Sequence, residues 1–145
     1  MLVERIENRW LAAFTRTFTL CKVQPGEVVA ILAETQSRRV NVDLARLALE
    51  AMGARVFEVT LTTPALTAPA PVRSTGASDA IGQLGPVVAA LARADMVVDC
   101  TVEGLLHAPE LPTIMKGVDG HMPRLLMVSN EHPEILERTV PDPAL

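Results

Sequence analysis

The sequence predicts a three-layer α/β domain: an open sheet of about four mainly parallel strands, with helices flanking it. Three observations carry that expectation. Val28–Ala33 is an unbroken apolar run bounded by turn residues, the pattern of a strand covered on both faces. After it, helical and strand patterns alternate along the chain. Aromatic residues make up only 3% of the sequence, with one Trp and no Tyr, so the core must be built from Val, Leu, Ile, Ala and Met.

In chain order, Ile6, Trp10, Ala13, Phe14, Thr17 and Cys21 fall at helical spacing. They predict an amphipathic helix from about Val3 to Leu20. Pro25-Gly26 turns the chain into the first strand, because proline presets the first turn position and glycine allows positive φ at the next. Ser37 is a candidate N-cap for a second helix, with Val40, Leu44, Leu47, Ala48 and Ala51 as its inner stripe and Gly53 as its stop. Arg55–Leu61 alternates and reads as the second strand, completing a βαβ unit.

Thr62–Gly85 breaks this rhythm with Pro64, Pro69, Pro71, Gly76 and Gly82, and a connection of that kind is expected to be functional or mobile. Gly85-Pro86 restarts a helix whose apolar side is Val87, Val88, Leu91 and Ala94. Met96–Thr101 is the third strand, Pro109–Lys116 a short helix closed near Gly117, and Arg124–Val128 the fourth strand. Pro133 opens a last helix that ends before Pro141.

At 145 residues the chain is expected to form one domain, 1–145. With 49% hydrophobic and 21% charged residues it falls in the globular class, not the disordered one. A net charge of −4, no basic patch beyond Arg38-Arg39 and few aromatic platforms argue against nucleic acid as a partner. Cys21 and Cys100 lie far apart in sequence, which suits reduced thiols in a cytoplasmic protein better than a disulfide framework. No signal peptide is expected in Met1–Arg9, and no apolar run reaches the length that spans a bilayer, so no membrane partner is expected.

Chemistry is expected at the carboxyl ends of the strands. The loop Glu34-Thr35-Gln36-Ser37 has no glycine, so the sheet is Rossmann-like without a dinucleotide fingerprint. Thr35 and Ser37 suit either an anion or, more simply, a helix cap. His107 follows the turn at Gly104, with Glu103 and Glu110 nearby. The residues alone leave two roles open for it: contact with a substrate, or bonding to backbone in a tight loop. His121 is expected on an exposed connection, solvated. His132, with Glu131 and Glu134, has the look of a metal cluster, but His132-Pro133 opens a helix, where acidic residues complement the dipole. Cys100 reads as a buried small hydrophobe. No metal-ligand motif and no nucleophile elbow is present.

Leu20–Val29 resembles the opening of the thermophilic-type leucyl aminopeptidases. Ala94–Cys100, Leu105–Glu110 and Pro133–Leu136 resemble more narrowly the 2,5-dihydroxypyridine 5,6-dioxygenase family, ring-cleaving non-haem iron(II) enzymes of the same fold. The resemblance implies that the chain corresponds to the N-terminal domain of a longer metalloenzyme. Its metal ligands would lie in a second domain and none in this chain. By the same resemblance, Leu106-His107 contacts a small aromatic substrate, with His107 as the catalytic candidate. Fe(II) would be the cofactor of the complete enzyme, and a C-terminal domain or a second copy of the chain its partner. The alternatives are an aminopeptidase domain and a non-catalytic binding or assembly module.

Overall fold

The computed structural model describes residues 5–65 and 76–141. In chain order the elements are α1 (Asn8–Leu20), β1 (Val28–Glu34), α2 (Arg39–Ala51), β2 (Arg55–Leu61), α3 (Gly85–Arg93), β3 (Met96–Cys100), α4 (Leu111–Lys116), β4 (Arg124–Met127) and α5 (Pro133–Thr139). The four strands pair in the order β2-β1-β3-β4, every pair parallel. This is the expected α/β sheet between two helical layers.

Strand side chains alternate between the two faces, and the burial follows that alternation. Val29, Ile31 and Ala33 of β1, with Met96, Val98 and Cys100 of β3, pack under α1 and α2 against Phe14, Phe18, Leu44 and Leu49. Ala30, Leu32 and Val97 face the other way, against Leu91 of α3, Ile114 of α4 and Leu105. By parity Asp99 points to that second face. β1 and β3 are buried along nearly their whole length, as the apolar run predicted.

Several boundaries differ from the sequence expectation. The first helix starts at Asn8 and not near Val3, because Glu7 is extended and its carbonyl accepts from the amides of Trp10 and Leu11. Among the described residues nothing buries Ile6, which stays exposed. The inner face of α2 is rotated by about a quarter turn from the expected stripe. Leu47 and Ala51 are exposed, while Asn41, Ala45 and Leu49 are buried, because the helix packs against α1 as well as the sheet. The short helix starts at Leu111 rather than Pro109. β2, by contrast, has the expected ends, and Gly53 closes α2 at φ +84 with its Cα against Pro25. Of the irregular connection Thr62–Gly85, residues 66–75, with Pro69 and Pro71, lie outside the described residues.

Ser37 does not cap α2. Its hydroxyl accepts from the amide of Glu34 and donates to the carbonyl of Cys100, which ties the end of β1 to β3. Asn130, beyond β4, supplies an acceptor at the helix start instead: its Oδ1 takes the amide of Arg38 at 2.7 Å.

Candidate functional site

The strand order reverses between β1 and β3, and open parallel sheets bind ligands where such ends diverge. Here that gap is filled by the protein's own groups. Glu34, 5% exposed at the end of β1, accepts from the amide of Val102 at 2.6 Å and from the hydroxyl of Ser78 at 3.4 Å. Next to it, Thr35 accepts from the amide of Thr63, and the Thr63 hydroxyl accepts from the amide of Gln36. The donors an anion would need near Thr35 and Ser37 are therefore already engaged.

The open cleft lies one strand over, between the loop after β3 and the end of β4, and has a volume of about 310 Å³. Leu106, His107 and Glu103 line one side, with Gly104 and Gly76; Met127 and Ser129 line the other. Leu106 is 58% exposed, an apolar surface held open to solvent. His107 donates its backbone amide to the carbonyl of Gly76 at 2.5 Å, so the backbone of this loop is pinned. Its imidazole makes no hydrogen bond among the described residues, and its edge lies against the Cα of Gly76, where a Cβ would come within 3.0 Å of Cδ2. Glu110, also expected near His107, is not in the lining.

Asp99 shapes both sides of the cleft. It is fully buried, and Oδ1 accepts from the amide and the hydroxyl of Thr101 at 2.9 and 2.5 Å. Oδ2 accepts from the amide of Leu105 at 2.9 Å, which fixes the loop one residue before Leu106. Its backbone carbonyl accepts from the amides of Val128 and Ser129, at 2.9 and 2.7 Å. Burial pushes the Asp99 carboxyl above the ordinary aspartate range, against the hydrogen bonds from Thr101 and Leu105 that favour its charged form. Gly104 turns between these anchors at φ +82, and a Cβ there would lie 2.9 Å from the Ser129 hydroxyl. Only glycine meets both demands.

The other candidate residues fall elsewhere. His132 caps α5, its Nδ1 accepting from the amide of Glu134, and its ring stands edge-on to Trp10 at 5.1 Å. His121 is exposed but not free in water, because its Nε2 lies 2.8 Å from Asp95 Oδ1. Asp95 in turn accepts the amide of Val28, so this pair ties the opposite, amino-terminal edge of the sheet. Cys100 is fully buried, and burial pushes its thiol far up, which suits packing and not nucleophilic attack.

A mononuclear metal site of the dioxygenase type needs two histidines and a carboxylate on one face. Among the described residues no group of three or more His, Cys, Asp or Glu side chains stands close enough to hold a metal ion. The three histidines lie at three separate places. The described residues do not fit an iron centre.

Sequence reasoning had no sign of Ser129 beyond its place in a loop after a strand. Asp99 and Glu34 carried a usable signal, since a carboxylate inside or at the end of an apolar strand must find partners. No helix among the described residues is long and apolar enough to cross a membrane.

With the cleft described, comparison with known proteins gives it a context. A solved structure of 2,5-dihydroxypyridine dioxygenase from Pseudomonas putida KT2440 is 30% identical and superposes with a TM-score of 0.79. The match covers 96% of this chain and 39% of that one, so this chain spans well under half of the solved enzyme's length. Klebsiella oxytoca NpsA, solved in complex with 3-hydroxyanthranilyl-AMSN, matches at 16% identity and a TM-score of 0.44 over 92% of this chain and 20% of its own, too weakly to support an argument. No curated protein matches the chain. The family model for 2,5-dihydroxypyridine 5,6-dioxygenase (NicX) matches residues 9–145, all but the first few residues, and the chain belongs to that family.

Proposed function

We propose that this chain forms the N-terminal domain of a ring-cleaving dioxygenase and walls the pocket for a hydroxylated pyridine or a similar small aromatic. The observation that supports this most is the cleft itself. In a chain of this family, an exposed leucine and an imidazole that makes no hydrogen bond among the described residues share a cleft at the carboxyl edge of the sheet. A flat ring rests on Leu106. His107 exchanges a proton with a ring hydroxyl, a role for which imidazole is suited. Ferrous iron, in this reading, would be held by residues other than those described, in a second domain docked over the cleft or in another copy of the chain, and would supply the activation of dioxygen. Two unpaired cysteines are consistent with a cytoplasmic setting.

The family match favours this reading over the aminopeptidase and over a non-catalytic module. The test is an aerobic assay of the full-length protein with ferrous iron and 2,5-dihydroxypyridine, following loss of the ring absorbance together with oxygen uptake. Coupled ring loss and oxygen uptake are expected. Hydrolysis of a leucyl anilide without oxygen uptake would overturn the reading in favour of the peptidase, and neither activity would favour the module.

A further inference from the structure

We propose that Ser129 is a specificity-determining residue, whose hydroxyl takes a polar substituent of the ring that lies against Leu106 and His107. The proposal rests on the dioxygenase reading and extends it to the opposite wall of the cleft. Ser129 lines the cleft, and its hydroxyl has no hydrogen-bond partner among the described residues. Its backbone is held at φ +53, a left-handed conformation that a non-glycine residue adopts at a cost. Two hydrogen bonds to the carbonyl of Asp99, from the amides of Val128 and Ser129, keep it there.

Across from it, Gly104 leaves room for the hydroxyl that any side chain would fill. Two special backbone positions thus meet around one polar atom, at the end of β4 on the ligand-binding edge of the sheet. A structural role for the hydroxyl would show as a hydrogen bond to the protein, and none is present among the described residues. A serine hydroxyl both donates and accepts, so it matches a ring hydroxyl or its ionised form. Leu106 and Met127 supply the apolar surface on either side, while Ser129 and His107 supply polar contacts from the two walls. That pattern selects a small flat ring with polar groups at two positions over one with a single polar group.

The test uses the full-length iron-loaded protein and compares Ser129→Gly with Ser129→Ala. The glycine variant removes the hydroxyl and relaxes the left-handed backbone, so it keeps the loop even where alanine strains it. The readout is kcat/KM for 2,5-dihydroxypyridine and the inhibition constants of 2-hydroxypyridine and 3-hydroxypyridine, each lacking one of the two substituents. Loss of one neutral hydrogen bond should lower kcat/KM about three- to tenfold in Ser129→Gly. One of the two inhibitors should bind the wild type and the variant equally, because it lacks the group that Ser129 meets. Equal weakening of substrate and both inhibitors would overturn the proposal and assign Ser129 a structural role. No change in any of the three would overturn it as well. A wild-type protein that binds none of these rings would overturn the dioxygenase reading and this inference with it.

Discussion

Asp99 is the residue on which both walls of the cleft depend. Its side chain holds Thr101 and Leu105, and its carbonyl holds Val128 and Ser129. Asparagine at this position would turn an amide donor toward one of the backbone donors, and a buried donor left unpaired costs about 1–3 kcal/mol. The pH dependence of that cost has a definite sign. Burial raises the folded-state pKa of Asp99, so the folded protein keeps a proton that the unfolded chain has released. The stability linked to this proton is fully present below the ordinary aspartate range and is lost as pH rises through the folded value. Urea unfolding of wild type and Asp99→Asn across the acidic range should therefore show a stability gap that narrows as pH rises from about 4. A gap that widens with pH would show that the hydrogen bonds, and not burial, dominate.

Among the elements, α2 shows how a long-range contact displaces a local rule. Ser37 stands where a capping residue is expected, yet its hydroxyl bridges β1 and β3, and Asn130 meets the helix start from beyond β4. Asn41 of α2 also donates to the carbonyl of Glu131, so both Asn130 and Glu131 tie the loop after β4 to the start of this helix. Asn130→Ala removes an acceptor of the capping kind, worth about 1 kcal/mol. It should lower the unfolding midpoint accordingly and raise hydrogen exchange at Arg38. Unchanged exchange at Arg38 would show the contact to be incidental. The helix-strand rhythm itself was legible, because apolar period and turn residues are local. Ser37 was misread because its partner, Cys100, is remote in sequence. The same holds for the rotated face of α2, where Leu47 is left outside because the helix packs against α1 as well as the sheet.

At the scale of the molecule, strand count, parallel sense and three-layer architecture follow from composition and periodicity. The order β2-β1-β3-β4, with the cleft displaced toward β4, does not, since it depends on how Glu34 and Ser37 fill the gap between β1 and β3. The family's short motif singled out Leu106 and His107, and both line the cleft. Ser129 was not, because its place in the cleft depends on the backbone of Asp99 and the missing side chain of Gly104. We propose that this cleft, in a chain covering 39% of a solved dioxygenase, contacts the ring during turnover. Steady-state oxygen uptake by full-length wild type and His107→Ala, with circular dichroism and metal content measured on the same samples, tests it most directly. The imidazole makes no hydrogen bond among the described residues, so its removal should leave fold and metal content intact while turnover falls on the order of 10²–10⁴-fold, the usual loss for a positioned proton-transfer group. Unchanged turnover in a folded, metal-loaded His107→Ala would contradict the account.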